Sequence, residues 1–293
     1  MEPLAHGSLH AASLFGLAGR TALVTGGGRG IGELVARAFV ANGATVFIAS
    51  RSQSTCTRTA AALTAAGPGR CIALPSCDVS TDAGCRALIA SLAARTQALH
   101  ILVNNSGISW GAPLEDFPEE QFDRVMALNV KSPFLLTRAA RPLLLVGAAT
   151  GSSSSSSSSE AASPAGPSRV INIGSIVGLR PQPVPTYSYD ASKAALHALT
   201  TKLSSELAPS ITVNALALGY VPTRMSRGLL HYGKAEQLAA AIPMGRFGSA
   251  SDVGGAALFL ASRAGSWVTG TVLTVDGGTV AQPLTLVAEP QLA

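Results

Sequence analysis

Tyr189-Asp-Ala-Ser-Lys193 sets a phenol and an ammonium four residues apart, a spacing that brings both side chains onto one face of a helix. An ammonium beside a phenol favours the phenolate, so Lys193 is expected to lower the Tyr189 pKa from its ordinary value of about 10. A tyrosine tuned in this way gives a proton to a developing alkoxide, or takes one in the reverse direction. Upstream, Ser175 ends a predicted strand within Asn172-Ile-Gly-Ser-Ile-Val-Gly178. Its hydroxyl is expected to hold the same substrate oxygen.

A second constellation binds rather than reacts. Thr25-Gly-Gly-Gly-Arg-Gly-Ile-Gly32 lies between a predicted strand and a predicted helix. Glycines there permit a tight turn and a close backbone approach to a pyrophosphate, and the helix N-terminus supplies free N–H groups. The spacing is TGxxxGxG through Gly26, Gly30 and Gly32, with Ile31 inside it; it is not GxGxxG. A fold that binds NAD places an acid after the second strand to hold the ribose 2′-hydroxyl. Here that position reads Ala49-Ser50-Arg51. A carboxylate would repel a 2′-phosphate, whereas the Arg51 guanidinium grips one through charge-assisted hydrogen bonds, and Arg29 in the glycine loop offers a second. The expected cofactor is NADP(H), in preference to NAD(H).

These residues need a scaffold that delivers strand ends to one edge. Short apolar β-branched runs recur at 21–25, 45–49, 71–74, 100–103, 170–173, 211–215 and 271–275, with alanine-rich helical patterns between them. Apolar strands alternating with helices imply a parallel sheet covered on both faces. The expected fold class is α/β, one doubly wound Rossmann domain over residues 1–293 with a seven-stranded sheet. Gly147 to Ser168, which contains the run Ser152–Ser159, is expected to be a disordered loop insert, because it buries too little apolar surface to offset its ordering entropy.

Composition narrows the classes. Of 293 residues, 47% are hydrophobic and 13% charged, which excludes disorder for the bulk of the chain and suggests surface buried between subunits. Mean hydropathy is +0.34, yet no run reaches the length of a spanning helix, so no membrane partner is expected. The net charge of +5 is scattered without a basic stripe, which speaks against nucleic acid. Cys56, Cys71, Cys77 and Cys85 form no CxxC pair and read as free thiols. The first 19 residues contain Glu2 and no Lys or Arg, unlike a signal or transit peptide, so a cytoplasmic location is expected.

Together, TGxxxGxG, Asn104-Asn-Ser-Gly107, the strand-end Ser175 and Tyr189-xxx-Lys193 resemble the short-chain dehydrogenase/reductase family from about Leu14 to Gly278. The resemblance implies that Ser175 polarises a carbonyl, Tyr189 transfers the proton, and Lys193 holds the nicotinamide ribose. It implies that Asn129 anchors a water in a proton relay and that Asn104 braces the sheet. It implies further cofactor contacts from Asp78, Val79, Asn105, Gly107, Val221 and Thr223. Val275-Asp-Gly-Gly278 resembles a segment used in subunit contacts, so a homotetramer or homodimer is expected. Two departures stand out: Ser106 replaces the usual alanine, and Leu218-Gly219 replaces the usual Pro-Gly.

Within the family, Ile173-Gly-Ser175, Thr186-Tyr-Ser-Tyr189, Ser192 to His197 and Ile242-Pro-Met-Gly-Arg246 are most similar to 3-oxoacyl thioester reductases of the rhamnolipid type and their fungal relatives. The cleft walls are expected from Ile108–Trp110, Leu179–Pro185, and a lid from Met225 through Leu229, Leu230 and Tyr232 to Leu238. These walls are mainly apolar. A polyol would leave hydroxyls unpaired against them, at about 1–3 kcal/mol each, while an acyl chain gains about 0.8 kcal/mol per buried CH₂. The expected activity is NADPH-dependent reduction of an apolar ketone or β-keto ester to a secondary alcohol. The alternative is an NAD(P)-dependent sugar, polyol or secondary-alcohol dehydrogenase. A hydrolase would need a GxSxG elbow, and Ser175 has Ile173 and Val177 at those positions. A nucleotide sensor without chemistry would not be expected to keep Ser175, Tyr189 and Lys193 together.

Overall fold

The computed structural model describes residues 9–150, 166–226 and 234–281. Seven strands form one sheet: β1 (Thr21–Thr25), β2 (Thr45–Ala49), β3 (Arg70–Ala73), β4 (Ile101–Asn104), β5 (Ser168–Ile173), β6 (Ile211–Leu218) and β7 (Val272–Val275). Every pairing is parallel, and the order is β3-β2-β1-β4-β5-β6-β7. The nine α-helices among the described residues are α1 (Ala11–Phe15), α2 (Gly30–Ala41), α3 (Gln53–Ala66), α4 (Asp82–Ala93), α5 (Glu119–Met126), α6 (Ser132–Thr150), α7 (Tyr187–Leu207), α8 (Ala235–Ala240) and α9 (Ala250–Ala261). A π-turn over Ala127–Lys131 joins α5 to α6, and a 3₁₀ turn over Ile176–Gly178 follows β5.

Successive strand residues point to opposite faces, and the core divides accordingly. Ala22, Val24, Val46, Ile48, Ile101 and Val103 pack with Val35 and Phe39 of α2 and with Val253, Ala257 and Leu260 of α9. Leu23, Phe47, Leu102, Val170 and Val213 pack on the other face with Leu88 and Leu92 of α4 and Leu136 and Leu144 of α6. Because both faces are covered, the strands read as continuous apolar runs. This is the expected doubly wound sheet, and its order reverses between β1 and β4, where the strand ends open a crevice for ligands.

One buried polar ladder crosses the centre. Asn104 and Asn172 are register partners on β4 and β5, and Asn104 Nδ2 donates to Asn172 Oδ1 at 2.8 Å and to Thr137 Oγ1 on α6 at 3.3 Å. Asn172 Nδ2 donates to Thr200 Oγ1 on α7 at 2.9 Å. The ladder links α6, β4, β5 and α7, with each bond contributing about 1 kcal/mol net.

The expected insert boundaries need correction. Residues 147–150 continue α6, because Gly147 lies against the sheet so closely that a Cβ would fall 2.1 Å from the Leu99 carbonyl oxygen. Ser168 opens β5, where its hydroxyl donates to Leu144 O at 2.8 Å. The remainder of the expected insert, 151–165, lies outside the described residues. β6 also runs three residues past the expected end, since Leu216, Ala217 and Leu218 pair with Leu273, Thr274 and Val275.

Candidate active site

Ser175, Tyr189 and Lys193 meet where the end of β5 faces the first two turns of α7. Ser175 caps the 3₁₀ turn, accepting a hydrogen bond from Val177 N at 3.4 Å. The Tyr189 phenol lies close enough to the Ser175 hydroxyl to feel it, an interaction that favours the phenolate. Lys193 is buried, with Nζ donating to Ile173 O at 2.7 Å and lying 5.4 Å from the Tyr189 ring centroid. The expected spacing thus produces the expected proximity.

The electrostatic expectation is overturned. Burial pushes the Tyr189 phenol above its ordinary value, more than the neighbouring Ser175 hydroxyl lowers it. Burial also lowers Lys193 to about 8. Nζ faces the ring and the Ile173 carbonyl, and withdrawal of both groups from water sets the direction of each shift.

Asn129 sits in the π-turn, a widened turn often found at functional sites. Its Oδ1 accepts from Ile108 N at 3.0 Å, and Nδ2 donates to Ile108 O at 2.9 Å and to Ser192 Oγ at 3.0 Å. Ser192 Oγ in turn donates to Tyr189 O at 2.7 Å. The Asn129 side chain therefore ties the loop after β4 to the first turn of α7, and its atoms are engaged with protein partners. A Cβ on Gly107 would lie 3.2 Å from Asn129 Oδ1, so this glycine leaves room for the clamp.

The glycine loop joins β1 to α2. Gly26 and Gly30 have φ of 65° and 56°, a region that favours glycine. A Cβ on Gly32 would meet Asn105 Nδ2 at 2.4 Å and Gly26 O at 2.6 Å, so the first turn of α2 presses against the loop it follows. Asn105 Nδ2 donates to Thr25 O at 2.8 Å, and Thr25 Oγ1 accepts from Asn105 N at 3.0 Å and Ser106 N at 3.1 Å. Thr25 and Ser192 are organising residues that motif reading passed over, although each lies inside a quoted motif. The open backbone cradle and the free N–H groups of α2, through Ile31, fit a pyrophosphate.

Next to the cradle, Ser50 Oγ accepts from Ser52 N at 3.2 Å and lies 3.1 Å from Cys56 Sγ. Ser76 Oγ donates to Arg51 O at 2.8 Å. The Arg29 and Arg51 side chains are exposed, and neither forms a salt bridge with another described residue. Gly28 packs on Thr55 and Cys56 of α3, and Cys56 Sγ also touches Ser50 Oγ, the residue before Arg51. Asp78 is exposed and held below the usual carboxylate range by Ser80 and by Arg51, while Val79 is buried. Across the crevice, Val221 is buried and Thr223 comes within 3.7 Å of where a Gly30 Cβ would stand. Ser226 Oγ fixes that loop, donating to Val221 O at 2.9 Å and accepting from Thr223 N at 2.8 Å. Leu218 completes the β6–β7 pairing at the position of the usual proline.

Two residues past the first expected cleft wall, Ala112 N donates to Pro185 O, the end of the second, at 3.1 Å. Trp110, Leu179 and Met225 expose large apolar side chains. Leu229, Leu230 and Tyr232 lie outside the described residues, and Leu238 is on α8. No helix among the described residues is long and apolar enough to cross a membrane, and no group of three or more His, Cys, Asp or Glu there is placed to hold a metal ion.

Residues 26–280 match the family model described as Enoyl-(Acyl carrier protein) reductase. The chain is 43% identical over 266 residues to the rhamnolipids biosynthesis 3-oxoacyl-[acyl-carrier-protein] reductase of Pseudomonas aeruginosa, covering 90% of this chain and 97% of that one. A solved Pseudomonas aeruginosa RhlG/NADP active-site complex superposes with a TM-score of 0.81 at 42% identity, covering 92% of this chain and 99% of the other. A gluconate 5-dehydrogenase from Burkholderia cenocepacia, in complex with NADP and tartrate, superposes with a TM-score of 0.81 at 31% identity, covering 94% and 100%. With the sheet order, the glycine cradle and the Ser175–Tyr189–Lys193 cluster in one crevice, the chain belongs to the short-chain dehydrogenase/reductase family, oxidoreductases acting on a CH–OH or keto group.

Proposed function

We propose that this protein is an NADP(H)-dependent carbonyl reductase that converts an apolar ketone or a 3-oxoacyl or β-keto ester into a secondary alcohol. The observation that carries the reading is the Ser175 hydroxyl beside the Tyr189 phenol, with the buried Lys193 Nζ 5.4 Å from the Tyr189 ring centroid. When bound, NADPH supplies the hydride. Ser175 polarises the substrate carbonyl and Tyr189 gives its proton to the oxygen. Lys193 holds the ribose, and its ammonium stabilises the phenolate left behind. Asn129, through Ile108 and Ser192, keeps the loop after β4 and α7 in register. Gly26, Gly30, Ile31 and Gly32 receive the pyrophosphate, Asn105 and Gly107 line the crevice, and Val221 and Thr223 close over the nicotinamide side. Asp78 and Val79 border the adenine. The 2′-phosphate falls to Ser50, Arg51 and Arg29, in keeping with NADP in two solved relatives.

Trp110, Leu179 and Met225 support an apolar substrate, since each expected cleft wall carries an exposed large apolar side chain that gains by being covered. The half-exposed β7 edge and Trp267, which is 97% exposed, support a homodimer or homotetramer. The similarity to a gluconate 5-dehydrogenase supports a second reading, oxidation of a sugar acid or polyol. A panel of aryl ketones, alkyl ketones, β-keto esters and polyols, followed by absorbance of the reduced cofactor with both NADP(H) and NAD(H), decides between them. Reduction of ethyl acetoacetate with NADPH is expected; polyol oxidation with no ketone reduction would overturn the proposal.

A further inference from the structure

On α7, Tyr189, Lys193 and His197 stand four residues apart and share a face. The first two have roles in the reading above; the third has none. His197 is 6% exposed, and neither ring nitrogen has a hydrogen-bond partner of good geometry. Its polar neighbours are the Gly178 backbone and the Lys193 ammonium. A leucine would fill such a site without leaving polar atoms unsatisfied, which costs about 1–3 kcal/mol. Stability given up beside a reactive centre calls for a functional explanation.

The ring's neighbours supply one. A Cβ on Gly174 would fall 2.3 Å from His197 Nε2 and 3.0 Å from Cδ2, and a Cβ on Gly178 would fall 2.9 Å from Cε1. Gly174 immediately precedes Ser175, and Gly178 ends the 3₁₀ turn that Ser175 caps. The imidazole is therefore wedged against both ends of the Ser175 turn, while its own backbone belongs to the helix carrying Tyr189 and Lys193. We infer that His197 is a positioning residue, wedged between Gly174 and Gly178, that sets the Ser175 hydroxyl relative to Tyr189. Small misplacements of this kind cost up to about 100-fold in rate.

This inference rests on the proposed role of Ser175, so the test separates the two. Ethyl acetoacetate reduction with NADPH is measured for His197→Ala, Gly174→Ala, the double variant and Ser175→Ala, alongside the NADPH Kd by fluorescence titration. His197→Ala opens the wedge and Gly174→Ala pushes a methyl into it. Each is expected to lower kcat by about 10- to 100-fold with Kd near native. In the double variant the methyl occupies the vacated space, so kcat should exceed the product of the two single effects by about tenfold. Multiplicative losses, native kcat in His197→Ala, or a loss confined to Kd would each overturn the positioning role. Native turnover in Ser175→Ala would overturn the reading of the site itself. If His197→Ala does not fold, His197→Gln, which lacks the planar ring, replaces it and carries the same expected kcat loss.

Discussion

Replacing Tyr189 with Phe removes one hydroxyl and little else. The ring still lies over Lys193 Nζ at 5.4 Å, and Nζ keeps its 2.7 Å bond to Ile173 O, so the groups that hold the nucleotide stay in place. Ser175 retains its contact with Val177 N. What disappears is the proton donor, and positioned proton transfer contributes about 10²–10⁴-fold, or roughly 3–5 kcal/mol of barrier. The expected result is a kcat for ethyl acetoacetate reduced by that factor with an NADPH Kd near native. Tyr187 supplies the control. Two residues earlier on α7 its side chain points about 200° away around the helix. Its ring packs edge-on against Phe117 at 5.6 Å, so Tyr187→Phe should leave turnover near native. Survival of turnover in Tyr189→Phe, or its collapse in Tyr187→Phe, would refute the assignment of the proton donor.

Arg51→Asp should raise the KM for NADPH by about 10- to 150-fold, the worth of one charge-assisted contact, while NADH is affected less; equal kcat/KM for both cofactors in the native protein would refute it. Burial lowers Lys193 from 10.5 to about 8, so the fold bears the cost of a buried ammonium below pH 8 and is relieved of it as pH climbs toward 10.5. Lys193→Met should therefore lose activity yet melt no lower than native at pH 7, with its relative advantage shrinking toward pH 10; a clearly lower Tm at pH 7 would contradict this. His100 is lowered by burial to about 4, and its Nδ1 accepts from Thr21 N at 3.0 Å, so the native ring is neutral. As pH falls from 6.5 toward 4 the unfolded chain takes a proton that the native one refuses, and stability declines; a Tm scan should show a shallower decline in His100→Asn. Gly32→Ala places a methyl 2.4 Å from Asn105 Nδ2 and 2.6 Å from Gly26 O, and overpacking of about 1–3 kcal/mol should weaken NADPH binding and lower Tm; a native KM would show that the cradle yields.

The sequence by itself determined the fold class, because strands buried on both faces must read as apolar runs, and the runs at 21–25, 45–49 and 211–215 lie within the strands observed. It determined the proximity of Tyr189 and Lys193, since helical periodicity is local, and the glycine cradle, since only glycine readily takes the φ of Gly26 and Gly30. Where α6 and β6 end was decided by long-range packing: Gly147 against Leu99, and Leu218 beside Val275. The direction of the Tyr189 shift was likewise tertiary. Spacing sets which charges are neighbours, but only the fold sets how much water remains, and here burial sets the direction of both shifts. Ser192 and His197 were legible as letters without roles. Ser192 acquires one only when the π-turn brings Asn129 to it, and His197 only when the ends of the Ser175 turn close on its ring, contacts between segments that no spacing along the chain encodes.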